Sequence, residues 1–564
     1  MRDEPADLSE PAPTMAGPAR FTLLEPLREK TYRMIWTASL FSNFGQLIQG
    51  VGAAWLMTRL SSSPQMVALV QTAIMLPLML VALPAGAIAD MFDRRKVALI
   101  GLGFACLMAV GLTGLAWAGL VTPWLLLAFC FLIGMGVALY GPAWQASVGE
   151  QVSGEHLPAA IALGTISYNV ARSFGPALGG IVVAALGAMA AFAANALFYL
   201  PLIFAFLRWE RQHAPSRLPP ERIDRAIISG VRYALHSPPI RIVLVRTLFS
   251  GLAGASVSAL TPLVAKDLLQ GTASTYGLLL GAYGVGAVLG ATALDMVRGR
   301  LRPEQAARLL TVFSGAMIVL VGVSHNIVVS CAAMMAAGAA WMILIAQFNV
   351  AVQMSAPRWV TARALSCFGC AITGGMAIGA WGWGAVAAMV GTGNAMLLSG
   401  AAVALTVLLG LILPLSSALP EGLELSELSQ QPQVSLALTA RSGPVIIEID
   451  YRVEMDSARD YYDAMQKLRR ARLRSGAFGW SLSRDIADPQ LWTEHYHCPT
   501  WGDYLRQRGR MTQGDLQLQA DVDRFHIGGN EARVRRRLER PTGSVRWRAD
   551  TPDRRDESLG LYHP

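Results

Sequence analysis

The side chains of this chain that could do chemistry are charges and amides set against long apolar runs. They suit binding and switching better than bond-making. Asp90, Asp93, Arg94, Arg95 and Lys96 crowd into one short turn between two such runs. Carboxylates and guanidiniums that close can make and break ion pairs as the runs move. Arg172 lies near the middle of the run 158–186. Inserting a charge at that depth costs about 2.5–3.5 kcal/mol, so it must face protein or an aqueous cavity. There it can bind an anionic ligand or exchange partners between states. A fixed tie to backbone carbonyls and to Asn169, on the same helical face, is the alternative. Arg246 sits shallowly in its run, where snorkelling to the interface accounts for it. Asn43, Gln46 and Gln49 form a drifting polar stripe, and Gln347, Asn349 and Gln353 a second. Either stripe can hydrogen-bond a ligand or a neighbouring helix. No Asp or Glu lies deep in a run, since Asp90, Glu150 and Asp295 all stand at ends. The usual intramembrane proton carrier, a carboxylate of raised pKa, is therefore not identifiable.

The runs are membrane spans by length. A helix rises about 1.5 Å per residue, so about 20 apolar residues cross the hydrocarbon. Twelve spans are expected, near 32–58, 66–90, 97–118, 123–148, 158–186, 188–207, 240–264, 275–297, 303–323, 326–353, 363–390 and 393–415. The loops at 92–97, 208–241, 298–308 and 355–363 carry sixteen Lys and Arg, and the opposite set only Arg59 and Lys266. Positive loops stay inside, which places both termini in the cytoplasm. The segment 1–30 is acidic and Pro-rich without an apolar run, so it is not expected to be a cleaved signal. A polar linker, 208–239, divides bundles 31–207 and 240–416. Within it Ile223–His236 has helical spacing, with Arg222, Arg225 and Arg232 opposite the apolar face. That pattern fits a helix on the anionic inner leaflet, or a partner site. Most of the net charge of +9 comes with these loops, so it reports topology and argues against nucleic acid. Of six cysteines, Cys367 and Cys370 share a face of an apolar helix, and no disulfide framework or redox pair is expected.

Six plus six helices with a basic turn after the second resemble the major facilitator superfamily. Its signature turn is matched at Gly86, Asp90, Arg94 and Arg95, with Met91 and Asp93 in place of the usual Arg and Gly. A second signature, in the fifth span, is met by Gly175, Pro176, Gly179 and Gly180, and in the superfamily it accompanies export by antiport. Ser42–Gly45, Asn169–Pro176, Arg363–Ser366 and tail segments at Trp492–Tyr496, Trp501, Leu505–Gln507 and Asp523–His526 are similar to the enterobactin-exporter-like branch. The resemblance implies several things. The fifth and eighth spans, the latter with Gly277, Gly281, Gly286 and Gly290, would meet across the halves and slide, or else pack statically. Asp90 would close the cytoplasmic side on the start of the eleventh span, Thr361–Arg363, with Arg94 and Arg95 beside it; retention of the loop inside is the alternative. Asp295 and Arg298 form a degraded copy of that turn. Spans one, four, seven and ten would line the cavity, putting the amide stripes and Trp341 against substrate, and Arg172 and Asn169 of the fifth span are expected at the same cavity. The implied partners are a small molecule, membrane lipid and the proton gradient, in a bacterial inner membrane.

After the linker 417–442 the pattern changes. Val445, Ile447, Ile449, Tyr451 and Val453 alternate with polar residues, as in a strand. A helix over Ser457–Arg474, strands near 477–486 and 490–498, and helices near 500–509 and 513–525 follow. This order resembles a ferredoxin-like half of a dimeric α/β barrel, spanning 443–530, which could dimerise the protein. His495 and His497 share a strand face while Cys498 points the other way, so surface histidines are preferred to a metal site. Residues 531–564 are read as disordered. The expected fold is thus an all-α polytopic protein with a small α+β cytoplasmic domain. The expected function is proton-coupled export of a siderophore, drug or other hydrophobic compound, without cofactor, metal or catalytic residues. A nutrient importer of the same fold and a membrane-tethered enzyme are the alternatives.

Overall fold

The computed structural model describes residues 24–153, 155–210, 223–357, 360–415, 432, 434–436, 438–527 and 532–539, without the side chains of 82, 83, 87, 90, 91, 158, 223–227 and 229. The first half comprises α1 (Lys30–Leu60), α2 (Pro64–Met91), α3 (Arg94–Trp117), α4 (Pro123–Ser147), α5 (Leu157–Leu186) and α6 (Ala188–Arg208). After α7 (Ile223–His236), the second half begins with α8 (Pro238–Gly254), α9 (Ser256–Leu263) and a π turn that together make one span to Leu268. It continues through α10 (Ala273–Arg300), α11 (Pro303–Val323), α12 (Ile327–Ser355) and α13 (Thr361–Val390), then α14 (Thr392–Leu405) and α15 (Val407–Ile412), which form the last span.

Among the described residues, eleven helical segments are long and apolar enough to cross a membrane. The 31-residue α1 is not among them, because its amides and charged first turn lower its apolarity. It packs within the bundle all the same: a Cβ on Gly52 would meet Ala191 of α6 at 2.8 Å, and one on Gly175 of α5 would meet Leu47 at 2.9 Å. In lipid no hydrophobic force gathers helices, so such small-residue approaches carry the association. Large apolar side chains meanwhile point outward, as with Ile100, Leu107 and Leu197. Both halves turn from their fifth to their sixth span on one glycine, Gly187 at φ 83° and Gly391 at φ 85°, a conformation other residues adopt only under strain.

Charges staple the helix ends within each half. Asp93 caps α3 by accepting from the Arg95 and Lys96 backbone N–H groups. In the second half Arg246 is buried, pairs with Glu304 at 2.5 Å and donates to the Leu413 carbonyl at 3.3 Å. Glu304 also takes Arg308 at 2.8 Å and the Leu415 backbone N–H at 2.9 Å. Snorkelling of Arg246 is therefore corrected. The signal missed was Glu304 in the first turn of α11, in reach of a cation on α8. Glu304→Ala would leave a buried guanidinium without its counter-charge. Such losses cost about 3–5 kcal/mol, so thermal unfolding in detergent should show a clearly lowered Tm.

The tail is a four-stranded antiparallel sheet in the order β2-β3-β1-β4, with β1 Val445–Arg452, β2 Phe478–Arg484, β3 Leu491–Cys498 and β4 Arg533–Leu538. Helices α16 (Ala458–Arg474), α17 (Trp501–Gly509) and α18 (Gln513–Asp523) complete it. Val445, Ile447, Ile449 and Tyr451 face Tyr461, Met465 and Leu468 of α16 in one core. β4 lies where disorder was expected. Its arginines hid it, but Arg535 pairs with Asp450 and Arg537 with Glu448 at 3.0 Å across the strands. That repays the burial of charge along the ladder.

Candidate substrate cavity and gate

A cavity of about 500 Å³ lies between the two halves, with walls chiefly from α1, α2, α4, α5, α9, α10, α12 and α13, and a residue or two each from α6, α8, α11 and α14. Its surface is mainly apolar, with Asn43, Gln46, Gln49 and Arg172 among its polar points and Tyr168, Tyr283 and Trp341 among its rings. Such a volume holds a drug-sized ligand.

Among the described residues Arg172 is the one charged side chain in that wall. Its guanidinium stands 5.9 Å from the Tyr283 ring centre, and among the described residues it has no hydrogen bond or ion pair. Asn169 does not tie it down, since its amide donates to the Thr165 carbonyl at 3.0 Å and it does not line the cavity. Asn169 is thereby corrected as a cavity residue. A cation–π contact stabilises by about 0.5–2 kcal/mol, short of the cost of placing the charge in the membrane. The site therefore holds a cation with capacity for an anion.

The amides divide. Asn43 donates to the Ser167 hydroxyl at 3.4 Å across α1 and α5. Gln49 is buried and accepts from Asn195 of α6, a residue not anticipated, so it also fastens two helices. Gln46 lines the cavity. On α12 the stripe misses it: Asn349 accepts from Gln353 at 2.6 Å, and Gln347 is buried away from the wall, without a hydrogen bond among the described residues. Helical phase turns Gln347 away from the face of Trp341, Met342 and Ile345, whereas Asn349, four residues after Ile345, shares that face one turn beyond the cavity wall. Tyr283 was missed although it stands seven residues after Tyr276, on the same face of α10.

The glycine motif serves two contacts. Gly175 and Gly179 seat α5 on Leu47, Ile48 and Val51 of α1, within one half. Gly180 and Pro176 face α10: a Cβ on Gly277 would meet the Pro176 carbonyl at 2.6 Å and Gly180 Cα at 2.8 Å. Proline at 176 cannot donate to the Arg172 carbonyl one turn back. That oxygen lies instead against Gly284, whose Cβ would meet it at 2.6 Å, and the Ser173 hydroxyl donates to the Gly284 carbonyl at 3.0 Å. Gly286 and Gly290, by contrast, pack on Met335 and Ala339 of α12, inside the second half.

These approaches, and Lys266 donating to the Thr58 carbonyl at 2.8 Å, lie toward the end of the loops 61–63 and 269–272. Toward the opposite end, on the same faces, Ile166 of α5 is 40% exposed and Val288 of α10 is 37% exposed. The helices splay there. At that end Arg94 bonds Glu150 at 2.9 Å and the Ala146 carbonyl at 2.8 Å, and Arg95 bonds the Phe206 carbonyl at 2.8 Å and the Leu207 carbonyl at 2.5 Å. Both arginines thus fasten their own half, and among the described residues neither bonds α13. The Asp90 side chain lies outside the described residues. Asp295 and Arg298 are exposed at the end of α10.

In the tail, His495 and His497 stand with ring centres 4.7 Å apart, and Cys498 is buried on the other face with its thiol pushed up to about 12 by burial. That is opposite to what a thiolate ligand needs. No metal-holding group of His, Cys, Asp or Glu occurs among the described residues.

Known proteins share this architecture. A bacterial homologue of the lysosomal transporter Spinster, in an inward-facing and unoccupied conformation, superposes with a TM-score of 0.55 over 69% of this chain and 95% of its own, at 12% identity. The chain is 23% identical to a staphyloferrin A transporter of Staphylococcus aureus over 53% of itself and 75% of the relative. It is 28% identical to the multidrug efflux pump Tap of Mycolicibacterium fortuitum over 46% of itself and 65% of that protein. An enterobactin exporter of Salmonella typhi shares 29% identity over 39% of this chain and 52% of its own length. Residues 21–542 match one family throughout, so the chain belongs to the transmembrane secretion effectors, helical transporters of the major facilitator type.

Proposed function

We propose that this protein exports a siderophore, drug or similar amphipathic molecule by alternating access, driven by the proton gradient. The observation that carries the reading is the lone Arg172 in an apolar cavity between two halves that touch at one end and splay at the other. A free guanidinium facing a ring-lined wall suits an acidic lipophilic cargo. With α1 counted as a span there are twelve crossings and both termini are cytoplasmic. The splayed end then faces the cytoplasm and the structure is inward-facing. Asp90 would complete the cytoplasmic closure when α13 swings over it. The tail, with its β-α-β-β-α-α-β order, is ferredoxin-like, and pairing of its open sheet face with a second copy would make a dimer.

Expression in a host stripped of its own exporters tests this. Cells should release more siderophore and retain less drug than cells carrying an empty vector. Unchanged levels for a broad panel would end the exporter reading. A reporter fused after Lys96 should be active only as a cytoplasmic fusion.

A further inference from the structure

The tail domain holds a second cavity, of about 600 Å³, between its sheet and helices α16, α17 and α18. Ile447, Ile449, Leu468, Met511, Leu516 and Val534 make an apolar wall, and Arg472, Arg508 and Arg536 reach it. The charges are not equally committed. Arg472 is engaged by Glu494 at 3.2 Å and Gln519 at 2.5 Å. Asp515 is taken by Arg474, and burial pushes the Asp523 carboxyl above its ordinary value. Among the described residues Arg536 has only Tyr504, whose hydroxyl accepts from it at 2.8 Å and whose ring centre is 5.8 Å away. The surplus charge in the cavity is positive.

The cavity also adjoins the contact between tail and membrane part. Arg472, Ser475 and Asp515 line it, and their neighbours Arg474 and Gly476 hold α7. Arg232 of α7 donates to the Gly476 carbonyl at 2.9 Å, and the Arg474 guanidinium stands 5.4 Å from the Tyr233 ring centre. Tyr233 and Ala234 are buried in one cluster with Val243 of α8, Val360, Ala364 of α13 and Leu415. A Cβ on Gly230 would press on the Arg363 side chain, 2.6 Å away, in the first turn of α13. α7 also touches α2, so it contacts both halves.

We propose that the tail cavity is an effector site for a small molecule with an apolar body and an anionic end, and that its occupancy reaches the membrane part through α16 and α7. A ligand drawing on Arg536 and displacing Asp515 would alter how Arg474 holds Tyr233, and so the seat of α7 against α13.

The test uses the full chain in lipid nanodiscs with 2-naphthoate as probe, read by calorimetry and hydrogen exchange. Naphthoate should bind, and Arg536→Gln and Ala471→Trp should each weaken that binding about tenfold or more, the loss expected for a charge-assisted contact in a filled site. In an Arg172→Ala background, where naphthoate bound between the halves is lost, the tail binding and its loss in both tail variants should persist. Binding should change amide exchange across 228–236 and the start of α13 in the wild type. In Arg232→Ala the probe should still bind but that exchange response should be lost. Naphthoate affinity equal to wild type in both tail variants would overturn the site, and binding without altered exchange in α7 would overturn the coupling.

Discussion

Arg172→Ala should cut efflux of an acidic cargo about tenfold or more while leaving the protein as stable as before, or more stable. The two readouts belong together. A structural arginine would lose stability on removal, because its hydrogen-bond partners would be stranded. Arg172 has none among the described residues beyond the Tyr283 ring at 5.9 Å. Replacing it removes a charge whose placement costs about 2.5–3.5 kcal/mol. Arg172→Lys should keep part of the efflux, since an ammonium supplies charge but not a planar fork for a carboxylate. Transport assays on reconstituted protein, paired with thermal unfolding, decide it. A drop in Tm with unchanged efflux would assign Arg172 to scaffolding.

The second large effect is expected at the seam between halves. Gly277→Ile would place side-chain carbon where the Pro176 carbonyl and Gly180 Cα already sit 2.6 and 2.8 Å from the first added atom. α5 and α10 must then separate at this end. The closed seam is depleted and transport should fall about ten- to a hundredfold, as the preference between two states moves by about 1.4–2.8 kcal/mol. Spin labels at residues 59 and 270 should report longer distances across the halves. Gly290→Ile gives the contrast. Its added carbon meets Ala339 Cα at 2.9 Å within one half, so the cost falls on folding and the Tm drops. Equal behaviour of the two variants would mean that the glycines of α10 serve static packing alone.

Much of this was legible in the sequence because lipid imposes a length and charge code. Span limits, the break between bundles and the hairpin glycine Gly187 follow from apolar length and one residue type. What escaped depends on helical phase and long-range partners. The stripe Gln347–Asn349 has the right composition, but Gln347 lies off the face that Trp341 presents to the cavity and Asn349 lies one turn beyond the wall. Arg246 looked shallow because Glu304, its partner, is 58 positions away. Arg94 and Arg95 carry the signature of a gate, yet their bonds run to the end of α4 and to α6, within their own half. β4 was hidden because alternate arginines read as a solvated run until Glu448 and Asp450 lie across from them.

The most direct test of the account is gradient-driven accumulation in inverted inner-membrane vesicles. With the cytoplasmic face outward, an imposed proton gradient should drive siderophore or drug into vesicles containing this protein, and a protonophore should abolish that accumulation. Uptake confined to right-side-out vesicles, or equilibration indifferent to the gradient, would contradict it.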